Sequence, residues 1–159
     1  MNIFRFLIPK SLSVYISSDS TARQALEKMR AHRYSALPVL DRDGKYVGTV
    51  RADDILYLFA SIGSLDEKDA EKHNVTDIMQ KGYNPPIDCN ATVMNLAEAV
   101  KEHNFIPVTD DRGCFIGIIL RRDVLNFLLG YYLERNPAET GSKEEQFLAE
   151  ARPAVAEET

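Results

Sequence analysis

The chain repeats itself, and the repeat limits what it can fold into more than any other feature of its sequence. Pro38-Val39-Leu40-Asp41-Arg42-Asp43-Gly44-Lys45-Tyr46-Val47-Gly48 returns as Pro107-Val108-Thr109-Asp110-Asp111-Arg112-Gly113-Cys114-Phe115-Ile116-Gly117. Pro, Val, Asp, Gly and Gly keep a constant offset of 69, which continues to Asp54 and Asp123 and to Leu56 and Leu125. Upstream the offset is 71: Thr21 matches Thr92, and Ala22, Ala25, Leu26 and Met29 match Val93, Leu96, Ala97 and Val100. Both apolar sets are spaced i, i+3, i+4, i+7, one face of a helix. The change from 71 to 69 places a two-residue deletion before the second Pro-Val strand, where a loop tolerates it.

Each copy reads as a βαββα unit, so the predicted class is α+β with two tandem repeats. A short opening strand (14–16, or 86–88) precedes a helix (21–32, or 92–103). Thr21 with Gln24 fits a capping box. A strand follows at 36–40, or 105–109. Asp43-Gly44 and Arg112-Gly113 supply turns, because Gly takes positive φ at no steric cost. The next strand runs over 46–50, or 115–120, and a closing helix over 52–62, or 122–133. An apolar, helix-like lead-in precedes each copy, with Phe4, Leu7 and Ile8 matching Val75, Ile78 and Met79, and Asn74 as N-cap of the second. The expected organisation is a first repeat with its lead-in (1–63), a charged linker or exposed helical turn (64–73), a second repeat (74–134) and a mostly disordered Pro/Glu/Ala-rich tail (135–159) with one helical piece at 143–151.

Composition narrows the function. Hydrophobic residues at 45% and charged residues at 27% are globular proportions. A net charge of −5 argues against nucleic-acid and anionic-membrane partners, which need surplus cations. The two cysteines, Cys89 and Cys114, are too few for a secreted disulfide scaffold. Neither they nor the scattered His32, His73 and His103 match metal-ligand spacing, so no metal site is expected. Arg5 and Pro9-Lys10 interrupt the apolar N-terminus, which does not read as a signal peptide. The longest uncharged runs are ten residues, half of a membrane span. The expected location is the cytoplasm. No nucleophile elbow, P-loop or His-Glu-x-x-His occurs, and Asp53-Asp54 and Asp110-Asp111 suit caps and turns better than acid/base work; a non-enzymatic chain is expected.

The Val75-Thr76-Asp77-Ile78-Met79 lead-in, the Leu37-Pro38-Val39-Leu40-Asp41 strand and the duplicated Gly48-x5-Asp54 and Gly117-x5-Asp123 junctions resemble a tandem cystathionine-β-synthase (CBS) domain pair. The start, Phe6-Leu7-Ile8-Pro9-Lys10 with Gln24 to Met29, is similar to stand-alone CBS proteins of Gram-positive bacteria. The resemblance implies two tandem repeats packed as a pseudo-twofold CBS-pair disc with two clefts between them, binding of AMP, ATP, S-adenosylmethionine or cyclic di-AMP, and dimerisation. It also implies a junction of the form Gly-apolar-apolar-Thr/Ser-x-x-Asp, with the Asp on ribose hydroxyls and the Thr/Ser on phosphate. Here the Asp is kept as Asp54 and Asp123, while the Thr/Ser position holds Arg51 and Leu120.

Each candidate has a plainer role beside the functional one. Asp54 and Asp123 fit ribose, and they equally fit stabilisation of a helix start. Arg121 and Arg122 beside free helix N–H groups fit a phosphate, and they equally fit solvent or a pairing with Asp110 or Asp111. Arg51 would serve the first copy in the same way, with Lys10 weaker. Pro86 either presents backbone to an adenine edge or stiffens a strand start. Ile106, Ile119 and Val50 either line an adenine slot or belong to the core. The closing helices, through Ile55, Leu56, Phe59 and Ile62 and through Val124, Leu125, Leu128, Leu129 and Tyr132, offer a homodimer surface. The expectation is a regulatory adenine-nucleotide-sensing module that requires no cofactor, binds an adenine nucleotide and signals to an unidentified protein partner. The alternative is a ligand-free structural or interaction dimer.

Overall fold

A computed structural model describes residues 2–136. The tail expected over 135–159 therefore lies almost wholly outside the described residues. The chain divides into two compact units, one up to Arg121 and one from Arg122 onward.

In the first unit, a 3-10 turn (Ile3–Phe6) leads into β1 (Leu7–Pro9) and a second 3-10 turn (Lys10–Leu12). The first repeat follows as β2 (Ile16–Ser17), α1 (Ala22–His32), β3 (Ala36–Leu40), β4 (Tyr46–Arg51) and α2 (Ala52–Ile62). Single helical turns α3 (Glu67–Ala70) and α4 (Val75–Ile78) connect it to β5 (Ile87–Asp88), α5 (Val93–Glu102), β6 (Phe105–Thr109) and β7 (Phe115–Leu120). The remaining helix, α6 (Arg121–Arg135), forms the described part of the second unit. Two small sheets result, β2-β3-β4 and β1-β7-β6-β5, each with one parallel and one antiparallel pairing shared between the repeats.

Local chemistry accounts for the helix starts. Thr21 accepts the Gln24 amide N–H, and Gln24 Oε1 accepts the Thr21 N–H, which satisfies two donors that the first turn leaves over. Thr92 and Asn95 do the same for α5. The hairpin turns are equally local: Asp41 Oδ1 accepts from Asp43 and Lys45, Asp110 Oδ1 from Arg112 and Cys114, and Gly44 and Gly113 sit at φ 78° and 79°. These two turns meet. Tyr46 N donates to Gly113 O at 3.2 Å and Phe115 N to Gly44 O at 2.9 Å, a reciprocal pair between the two hairpins.

Both lead-ins cross to the opposite repeat. Val75 is fully buried among Ile16, Ala25, Met29, Leu37, Val39, Val50 and Ile55, with Ile78 and Met79 packed beside them. Burying side chains of this size stabilises the fold by about 1.5–3 kcal/mol each. The first lead-in is not the helix expected: Leu7, Ile8 and Pro9 pair antiparallel with Ile119, Ile118 and Gly117. The exposed edge of β7 offers unpaired backbone groups, and an extended segment satisfies them where a single isolated helical turn would not. Asn74 stands at the N-cap position of α4, but its side chain makes no cap hydrogen bond. The strand expected at 14–16 is displaced to Ile16–Ser17. The charged linker does more than connect, because α3 buries Ala70 completely against Ala22 and Leu58.

Candidate functional site

The two strand-to-helix junctions are chemically different. At the first, β4 ends on Arg51, which is also the N-cap residue of α2. Asp54, in the first turn of α2, is 5% exposed. Its Oδ2 accepts the Arg51 backbone N–H at 2.8 Å and Nε–H at 3.3 Å, and its Oδ1 accepts Nη2–H at 2.7 Å. Both carboxylate oxygens are thus engaged by one residue. The Arg51 guanidinium also donates to Gln80 Oε1 and lies 4.3 Å above the centre of the Tyr83 ring. The hydrogen bond to Asp54 raises the Arg51 pKa above its already high ordinary value, so the cation is permanent.

A polar network continues from this corner into the interior. Asn84, 1% exposed and in the left-handed region at φ 55°, donates Nδ2–H to Phe105 O, while its Oδ1 has no hydrogen-bond partner. The Tyr46 hydroxyl donates to Asn84 O at 2.7 Å and lies 2.8 Å from Thr49 Oγ1. Tyr83 meets His103 edge to face at 5.0 Å, and burial lowers the His103 pKa, so the ring is neutral near pH 7.

Burial also pushes the Tyr46 phenol up to about 12 from 10.0. Between these values the folded chain holds a proton that the unfolded chain releases. Stability supplied by Tyr46 is therefore complete below pH 10 and is lost as pH rises through about 12, up to about 2 kcal/mol. A spectrophotometric titration near 295 nm should show one of the seven tyrosines ionising late, and Tyr46→Phe should remove that step. Ordinary ionisation of all seven would contradict the buried phenol.

The second junction lacks the pair. Leu120 replaces Arg51, and Asp123 keeps a side chain 38% exposed, 3.6 Å from the Nε of Arg122, whose own side chain is 76% exposed. Arg121 is committed elsewhere: Nε–H donates to Val100 O and Nη2–H to Lys101 O, both at 2.6 Å. Its guanidinium thereby satisfies carbonyls that the last turn of α5 leaves over. Arg121 and Arg122, adjacent in sequence, face different tasks.

The other sequence candidates separate as well. Pro86 is exposed just ahead of β5. Ile106 and Ile119 oppose one another across β6 and β7, and both are fully buried, as is Val50, so none of them presents open surface. Lys10 sits apart, 5.6 Å above the Tyr15 ring, in a surface cavity of about 320 Å³ beside the first hairpin turn. Gln80, Tyr83, Asn84 and His103 join this corner without belonging to either duplicated motif. The aromatic and imidazole residues flanking the Pro85-Pro86 segment and α5 were the available signal. Among the described residues no cluster of His, Cys, Asp and Glu could hold a metal ion, and no helix is long and apolar enough to cross a membrane.

The paired junctions match a known family. The CBS domain model fits residues 10–61 and again 75–130. The chain belongs to the CBS domain family. A CBS domain-containing protein of Dictyostelium discoideum is 32% identical over 132 residues, covering 77% of this chain and 88% of that protein. Among solved structures, a hypothetical conserved protein of Geobacillus kaustophilus is 26% identical, with a TM-score of 0.75 over 82% of this CBS chain and 98% of its own. The CbpB protein of Listeria monocytogenes, solved in complex with cyclic di-AMP, is 25% identical with a TM-score of 0.71, covering 82% and 96%. The predicted α+β tandem of this CBS chain is the observed one.

Proposed function

We propose that this chain is a non-catalytic regulatory module that senses an adenine nucleotide, of the AMP, ADP, ATP or cyclic di-AMP class, and signals its presence to a protein partner in the cytoplasm. The observation that carries this reading is the Listeria relative, 25% identical over 82% of this chain, whose structure holds cyclic di-AMP. The second junction supports it from the side of chemistry. An accessible carboxylate, Asp123, can accept two ribose hydroxyls, and an accessible cation, Arg122, can meet a phosphate. The first junction favours the alternative reading locally, because Asp54 is already paired. A thermal-shift screen of AMP, ADP, ATP, S-adenosylmethionine and cyclic di-AMP tests the proposal, and a stabilising response confined to one or more of these ligands is expected.

The proposed assembly is a homodimer through the closing helices. On α2 Ile55 and Leu58 are buried, while Leu56 and Tyr57 remain 58% and 65% exposed. On α6 Val124 is buried, while Leu125, Leu128, Leu129 and Tyr132 are exposed. So much apolar surface on two helices suits a protein interface. Light scattering on the eluting protein should give twice 17.9 kDa. A monomer at micromolar concentration would contradict the dimer.

A further inference from the structure

The Arg51 side chain occupies the very groups a ligand would need at the first junction. It takes both oxygens of Asp54, at 2.7 Å and 3.3 Å, and its guanidinium plane covers one face of Tyr83, where a planar base would stack. Gln80 holds the same guanidinium from a third side. The pair is well shielded, with side-chain exposures of 20% and 4%. A carboxylate so held cannot accept ribose hydroxyls until the ion pair parts, and parting it leaves a buried charge without a partner. At the second junction Leu120 stands in the place of Arg51 and carries no cation, and Asp123, 3.6 Å from an exposed Arg122, keeps a side chain 38% exposed.

We propose that Arg51 is an internal plug that closes the first junction to nucleotide, so that the chain binds its ligand at the second junction alone. The proposal rests on the nucleotide-sensing reading above and assigns it an asymmetry. Arg51 mimics the ligand it excludes, supplying a planar cation over an aromatic ring in place of a base and guanidinium donors in place of ribose hydroxyls. The first repeat is then a fixed half of the module, and the second is the responsive half.

Calorimetric titration of the full chain with cyclic di-AMP tests this. Arg51→Thr frees Asp54 and uncovers Tyr83, and it should double the molar ratio of cyclic di-AMP bound per chain relative to the unsubstituted protein. Because that variant leaves Asp54 buried without its cation and is less stable, Asp54→Asn in the otherwise unchanged chain forms a second arm. It should alter cyclic di-AMP affinity by less than threefold. An unchanged ratio in folded Arg51→Thr, or a loss of tenfold or more in Asp54→Asn, would overturn the plug while leaving nucleotide sensing intact. Binding by Arg51→Thr but not by the unsubstituted chain would overturn binding at the second junction and, with it, sensing by the native protein. No binding by either would overturn both.

Discussion

Gly117→Ala should destabilise the chain by about 3 kcal/mol, and Gly48→Ala by only about 1 kcal/mol, although the two glycines are equivalent in the repeat. A Cβ at Gly117 would run into the backbone carbonyl of Ile8 and lie 3.0 Å from Leu7 Cδ1. That carbonyl belongs to β1, which is hydrogen-bonded to β7 and cannot retreat without losing the pairing of Leu7, Ile8 and Pro9. At Gly48 the new Cβ would meet Met79 Sδ at 2.9 Å and Cε at 3.1 Å. These are the far end of a flexible side chain, which can turn away. At roughly 3 °C per kcal/mol for a chain of this size, the melting temperature should fall by about 10 °C in one case and about 3 °C in the other. Equal losses would mean that β1 does not hold its place on β7.

Arg51→Ala should cost about 3 kcal/mol, because it strips the cation from a carboxylate whose side chain is 4% exposed. Adding Asp54→Ala should recover part of that loss, since no buried charge then remains. The double-mutant cycle should give a coupling of about 2 kcal/mol between the two residues. The Arg51 backbone N–H loses its acceptor in the double variant, so recovery stays incomplete. Urea denaturation measures all three variants. Additive losses would show that the guanidinium and carboxylate act independently, contrary to the two hydrogen bonds between them.

The parts of this molecule legible in the sequence are the ones governed by near neighbours. Thr21 and Gln24, three residues apart, announce α1, and Asp41 to Lys45 announce the first hairpin turn. The β1 strand was not legible, because Leu7 takes its conformation from Ile119, more than a hundred residues away. Arg121 is a similar case: its partners, the carbonyls of Val100 and Lys101, are recognised only once α5 and β7 are folded together. A pair of arginines at a helix start invites a phosphate, and nothing in the local sequence tells that one of them closes the previous helix. Arg51 and Asp54 were legible as individuals and not as a pair. Opposite charges three residues apart across a strand-to-helix junction can face each other or face outward, and the choice is made here by Gln80 and Tyr83, which approach from beyond the first repeat.

Isothermal titration of the full chain with cyclic di-AMP and with AMP, repeated on Asp123→Asn, decides whether this CBS pair senses an adenine nucleotide. Saturable binding of at least one of the two to the unsubstituted chain is expected, weakened on the order of tenfold or more in Asp123→Asn through loss of charge-assisted hydrogen bonds. No heat of binding from either nucleotide at millimolar concentration would contradict it.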